Sequence, residues 1–169
     1  QRVLGIPLTL VGHSVSQVFL GRAATELRSD IHGLQKLFFA VAKRLALLAV
    51  VPAVVLAAAG PVLFRFVFGE TWAEAGSYAQ LMAIMFLASF VATPLSHTFN
   101  ILERQDLSVA WNVGRLMLAA GAIYLTHRLG GNAMQAIAAY SLGMLVGYVS
   151  LFLLSAQAIR RRVREREVG

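Results

Sequence analysis

The chain has 169 residues, of which 58% are hydrophobic and only 14% are charged, and its net charge is +7. A soluble domain carries about a quarter charged residues, so this composition excludes an ordinary water-facing surface. The basic residues flank long uncharged runs, which favours a lipid bilayer as partner and argues against a nucleic acid. Because the chain has no cysteine, disulfides and thiolate metal sites are excluded.

Five segments are long and apolar enough to be transmembrane helices, since about 20 residues cross a hydrocarbon core of about 30 Å. In chain order they are 3–21, 45–64, 75–102, 107–127 and 132–159. The sequence therefore predicts an all-α membrane protein. Its five-helix transmembrane lobe occupies residues 1–159, and a basic cytoplasmic tail follows at 160–169.

Proline, glycine and mixed segments refine these helices. Pro94 is expected to kink the third helix, and Gly130-Gly131-Asn132 to separate the fourth from the fifth. Residues 33–44 mix apolar and basic side chains and predict a helix that lies at the inner membrane interface and leads into the second helix. Gly143 and Gly147 form a small-xxx-small pattern, which favours close packing within the bundle.

The distribution of Lys and Arg predicts the orientation. With the C-terminus in the cytoplasm, eleven basic residues lie inside: five in 22–44, Arg104, and five in the tail. Only Arg2, Arg65 and Arg128 lie outside, and one further arginine lies within the membrane. By the positive-inside rule we expect 22–44 and 160–169 to face the cytoplasm and 65–76 to face the opposite side.

The fourth predicted helix carries a polar face. Ser108, Asn112 and Arg115 follow one another at spacings of four and three residues, which places them on one side of a helix. Nine residues separate Arg115 from Asp106 at the inner interface, a depth of about 13 Å at ~1.5 Å per residue. An arginine there costs roughly 3 kcal/mol in lipid, so we expect it to face a cavity or a partner. The alternative is a structural role in which its guanidinium snorkels toward the inner headgroups.

Polar residues on the first and third helices are further candidates for the wall of such a cavity. The alternative is that they only hydrogen-bond neighbouring helices and stabilise the packing. The full set of candidate substrate-binding residues is Arg115, Asn112, Ser108, Asn100, His97, Gln17 and His13.

Catalytic motifs are missing from the sequence. There is no HExxH, Walker loop or GxSxG, and all eight acidic residues lie in the connections or the tail. We therefore expect no enzymatic activity, no cofactor and no metal site.

The segment 61–78 carries an ordered pattern: Phe68-Gly69 ends a helix, Trp72 follows, and Ala75-Gly76 precedes the next helix. This pattern resembles a signature of the polysaccharide (O-antigen and lipid-linked oligosaccharide) flippase family. That family belongs to the multidrug/oligosaccharidyl-lipid/polysaccharide exporter superfamily. The flanks look similar too, and the resemblance covers nearly the whole chain: Ile6-Pro7-Leu8, Gln17-Val18-Phe19, Pro94-Leu95-Ser96 and Leu102-Glu103-Arg104-Gln105.

The resemblance implies that the five helices correspond to most of the second lobe of a two-lobe flippase, its helices eight to twelve. Such proteins move undecaprenyl-diphosphate-linked oligosaccharide across the bacterial plasma (inner) membrane for polysaccharide and lipopolysaccharide biosynthesis. A cationic cleft between the lobes would bind the pyrophosphate, for which the paired donors of an arginine are suited. The N-terminal lobe would be a missing partner, so we expect the chain to begin inside a larger protein and to be inactive alone.

Two other functions stay open. The chain could be a non-transporting membrane scaffold, or a remnant, that binds a larger partner. It could also belong to an ion-coupled small-molecule exporter of the same superfamily, which an acidic residue buried in the other lobe would favour.

Overall fold

The structure is a computed structural model and describes residues 16–27 and 31–168. Residues 16–27 form helix α1. The later elements are α2 (Ile31–Phe68), a short 3-10 helix (Glu70–Trp72), α3 (Ala73–Leu95), α4 (Thr98–Ile101), α5 (Gln105–Arg128) and α6 (Ala133–Val168). The described residues contain no strand, which confirms the all-α prediction.

Four segments are long and apolar enough to cross a membrane: Ile31–Phe68, Glu70–Ile101, Gln105–Arg128 and Ala133–Arg166. They agree with the second to fifth predicted helices. The first predicted helix, 3–21, is helical from residue 16 onward, and 3–15 lie outside the described residues. The chain is therefore a multi-pass membrane protein.

The long helices pack in a row. α2 packs chiefly on α3, α3 on α6, and α6 on α5, so α5 lies at one end of the row. The outward faces are apolar, as the exposed Val51, Phe66 and Leu116 illustrate. In a bilayer these faces meet acyl chains, so their exposure needs no protein partner.

Two helices extend beyond the bilayer at the basic end. α2 has 38 residues and α6 has 36, which at ~1.5 Å per residue makes each nearly twice as long as the hydrocarbon core is thick. Their extensions pack against each other and against α1. Ala23, Leu34, Phe38, Ile159 and Val163 belong to one buried cluster there.

This cluster changes two predictions. Segment 33–44 is not a separate interface helix but the first part of α2, because Leu34, Phe38, Ala42 and Leu45 continue one buried face into the apolar span. Residues 160–168 of the predicted basic tail are helical, since α6 continues to Val168. Apolar side chains buried in this cluster stabilise both segments as helices, although basic residues lie among them in the sequence.

Pro94 ends α3. The helix stops at Leu95, one residue after the proline, and a two-residue turn leads into α4. Carbonyl groups at the helix end are satisfied locally: the Ser96 N–H donates to the Ala92 oxygen at 3.0 Å, and the Ser96 hydroxyl donates to the Thr93 oxygen at 2.7 Å. The predicted kink is thus a break in the helix.

The predicted separation of the fourth and fifth helices is confirmed. Gly130 has φ +72°, a conformation that favours glycine. Asn132 then caps α6: its Oδ1 accepts the Gln135 N–H and its own N–H donates to Gln135 Oε1, both at 2.9 Å. This reciprocal arrangement satisfies two donors at the start of a helix.

Candidate functional site

Arg115 lies near the middle of α5 and is half-buried. Its guanidinium carbon is 5.0 Å from the centre of the Trp111 ring, one turn earlier on the same helix. Trp111 is itself held in place, because its Nε1–H donates to the Gly147 oxygen of α6 at 2.8 Å and its ring lies 5.9 Å from that of Tyr148. The positive charge therefore rests against a fixed aromatic face at the boundary of α5 and α6.

The Arg115 side chain reaches toward the start of α5, which is the basic end of the bundle. Long helical side chains lean this way in general, and snorkelling would take the same direction. Ion pairs within the described residues join Arg65 to Glu70, Arg104 to Asp106 and Arg162 to Glu165, and none includes Arg115. Its charge is thus left open to an anion that enters from outside this part of the chain.

The two neighbours predicted with Arg115 lie on the same helix. Ser108 is half-buried, Asn112 is exposed, and the Asn112 Nδ2 donates to the Ser108 backbone oxygen at 2.8 Å. This bond lies within α5 and links no second helix. Because Asn112 is exposed, its side-chain oxygen is able to accept a hydrogen bond from a ligand.

The remaining candidates lie on other elements. His97 is half-buried in the turn after α3, Asn100 is exposed on α4, and Gln17 is exposed on α1. His13 lies outside the described residues. Ser108, Asn112 and Arg115 lie together on α5, which packs on α4 and α6. A common cavity for all seven residues stays a prediction.

Sequence reasoning missed Trp111. The available signal was its position four residues before Arg115, which puts an aromatic ring beneath the cation on one helix face. The hydrogen bond to Gly147 carried no such signal, because the sequence does not say which face of α6 meets α5.

The Phe68-Gly69 step makes the turn that ends α2. Gly69 has φ +97°, and its N–H donates to the Arg65 oxygen at 2.9 Å. The Phe68 ring lies 5.7 Å from that of Trp72, and Arg65 pairs with Glu70 at 2.9 Å. These contacts stabilise the connection between α2 and α3, so Phe68, Gly69 and Trp72 have a structural role.

Gly76, at the end of the same pattern, permits a backbone-to-backbone contact. It is buried opposite Gly60 of α2, and a Cβ added to either glycine would lie 2.5 Å from the other's backbone oxygen. By contrast, a Cβ on Gly143 or Gly147 would meet Leu118 of α5 at an ordinary 3.9 Å. The predicted small-xxx-small pair does pack within the bundle, but Gly60 and Gly76 lie much closer to their neighbouring helix than Gly143 and Gly147 do.

An ion pair fixes the turn between α4 and α5. Glu103 has φ +57°, and Arg104 donates two hydrogen bonds to the Asp106 carboxylate, at 3.1 and 3.2 Å. These bonds raise the pKa of Arg104 above its ordinary value, because they stabilise the charged guanidinium. Both side chains are exposed, so we assign the pair a role in turn geometry and no role in binding.

The fold and these sites define an all-α, multi-pass membrane protein. Comparison with protein-family models, with characterised proteins and with solved structures finds no match for the chain. The chain's own residues, Arg115 above all, and the pattern in segment 61–78 therefore bear on its function.

Proposed function

We propose that this chain is part of a flippase that moves undecaprenyl-diphosphate-linked oligosaccharide across the bacterial plasma membrane for polysaccharide export. The observation that carries the proposal is Arg115, a half-buried cation in the middle of a membrane-spanning helix. Within the described residues it has an aromatic neighbour but no ion-pair partner. A charge in that position is expensive and is typical of a substrate pathway.

The substrate class follows from the chemistry of the guanidinium. A pyrophosphate offers paired anionic oxygens, and the planar fork of an arginine donates two parallel hydrogen bonds to such a group. Asn112 and Ser108 would replace part of the hydration of the sugar, while the polyprenyl tail stays in the bilayer. Trp111 would hold the guanidinium in place between substrate molecules. The opposing wall of the cleft would come from a partner lobe.

The test is glycan export by variants of Arg115 in the complete transporter. Arg115→Ala is expected to reduce export more than tenfold at normal membrane abundance, because the pyrophosphate loses its cation. Arg115→Lys should recover part of the activity, since an ammonium keeps the charge but loses the planar fork. Arg128→Ala is the matched control, because it removes one exposed arginine from the end of the same helix.

Snorkelling gives the opposite expectation for Arg115→Ala. Alanine would remove an insertion cost of roughly 3 kcal/mol and leave export unchanged. Normal export by Arg115→Ala would therefore refute the site and return Arg115 to a structural role. If deletion of the whole chain still abolished export in that case, the scaffold alternative would be favoured.

A further inference from the structure

A groove between α1 and α2 combines apolar walls with two arginines. Its volume is about 430 Å³, and the side chains that line it are apolar except for Arg22 of α1 and Arg44 of α2. Val18 and Leu48, which are 60% and 61% exposed, keep the groove open to the surrounding lipid. The groove does not include Arg115, and a ligand bound there is independent of the proposed function.

Both arginines border apolar runs of the sequence. Arg22 directly follows the apolar segment 3–21, and Arg44 directly precedes the segment 45–64. Val18 is one turn above Arg22 on α1, and Leu48 is one turn above Arg44 on α2. The groove therefore has apolar walls on both sides of Arg44, and the part with Val18, Leu45 and Leu48 belongs to the apolar runs.

Neither arginine is neutralised within the described part of the chain. Both are exposed, and the ion pairs of the described residues lie elsewhere, at Arg65, Arg104 and Arg162. Two unpaired guanidinium groups over an apolar groove are complementary to a phosphate that carries an acyl chain. A free phosphate would leave the apolar walls unused, and a zwitterionic headgroup would bring a cation to the arginines.

We propose that this groove binds an anionic phospholipid from the leaflet at the basic end of the bundle. The phosphate lies between Arg22 and Arg44, and an acyl chain lies along Val18, Leu45 and Leu48. Such a lipid would fill the space between α1 and α2 and couple the position of α1 to the composition of the membrane.

The test is native mass spectrometry of the purified protein in detergent. Phosphatidylglycerol and phosphatidylethanolamine with identical acyl chains are titrated separately, and inorganic phosphate is the third arm. We expect phosphatidylglycerol to bind at least tenfold more tightly than phosphatidylethanolamine, and phosphate alone not to bind over the same range. Equal binding of the two lipids would overturn the proposal and leave the groove to a protein segment. Phosphate binding as tight as the lipid would overturn it in favour of a simple anion site.

Variants locate the lipid. Each basic residue near a membrane surface contributes about fivefold to attraction of an anionic lipid, so Arg22→Gln with Arg44→Gln should weaken phosphatidylglycerol binding roughly thirtyfold. The control, Arg161→Gln with Arg164→Gln, removes the same charge from exposed positions of α6 and should change the affinity less than threefold. Equal losses in the two double variants would overturn the assignment to this groove.

A third variant changes the shape of the groove and leaves its charge unchanged. Val18→Trp puts a bulky side chain on the part of the groove that the acyl chain would occupy, at a position that is 60% exposed, and keeps both arginines. It should also weaken phosphatidylglycerol binding, while thermal unfolding without added lipid stays at the wild-type temperature. Full binding by this variant would refute the placement of the acyl chain.

Discussion

At the scale of single residues, Arg115 and Trp111 show how one helix accommodates a half-buried charge. The arginine costs roughly 3 kcal/mol at mid-membrane, and a desolvated cation–π contact returns about 2 kcal/mol. The contact with Trp111 therefore offsets most of the insertion cost without neutralising the charge. A residue held in this way stays available to an anionic ligand, which is why we treat it as a site and not only as a packing feature.

Glycines give the sharpest prediction at this scale. Gly76→Ala should destabilise the protein by about 1–3 kcal/mol, because its Cβ would lie 2.5 Å from the Gly60 backbone oxygen, which cannot move without separating α2 from α3. Gly147→Ala is the matched control. Its Cβ would meet only the end of the Leu118 side chain, at 3.9 Å, so alanine should be neutral or stabilising.

Unfolding in mixed detergent micelles, followed by circular dichroism, measures both glycine variants. Similar stabilities would show that α2 and α3 can separate at little cost. That result would contradict the close approach of the two backbones.

At the scale of elements, α2 is bent where proline removes a hydrogen bond. Pro61 has no N–H to donate to the Ala57 oxygen, and Ala59 departs from helical geometry with φ −132° and ψ 19°. The Gln80 side chain of α3 donates to that same Ala57 oxygen. A side chain of α3 thus supplies the hydrogen bond that the α2 backbone lacks, and it does so close to the Gly60–Gly76 contact.

A double-mutant cycle tests this account. Gln80→Leu leaves the Ala57 oxygen unpaired and should cost about 1–3 kcal/mol. Pro61→Ala restores an N–H to α2, so the same Gln80→Leu change should cost less than half as much in that background. Unfolding free energies of the four proteins supply the measurement. Equal costs of Gln80→Leu in both backgrounds would show that the carbonyl does not depend on Gln80.

At the scale of the whole molecule, basic residues gather at one end of the bundle. The apolar cluster of α1, α2 and α6 extensions lies there, and Leu102 of the turn that carries Arg104 packs on it. The charge asymmetry read along the sequence is therefore a spatial asymmetry as well, and it predicts that this end faces the cytoplasm.

Cysteine labelling measures the orientation, since the chain has no native cysteine. Thr71→Cys lies in the connection after α2 and Gln105→Cys at the start of α5, and both positions are exposed. In intact cells an impermeant thiol reagent should label Thr71→Cys and spare Gln105→Cys, and permeabilised cells should label both. The reverse pattern in intact cells would overturn the orientation.

Local chemistry explains the features that could be predicted from the sequence. The length of an apolar run decides whether a helix can span a bilayer, and Pro94 or Gly130 acts on its own few residues, so the four described spans and their breaks could be predicted. The class of protein, an all-α membrane protein, follows from the same local properties.

Contacts between helices decided the rest. The sequence predicted packing at Gly143 and Gly147, which the structure shows, but it did not indicate the tighter contact between Gly60 and Gly76. It ended α6 at residue 159, whereas a buried Val163 continues the helix. Both outcomes depend on which faces of distant segments meet. A run of apolar residues shows that a helix will be buried in lipid or protein, but only the tertiary structure shows which neighbour it meets.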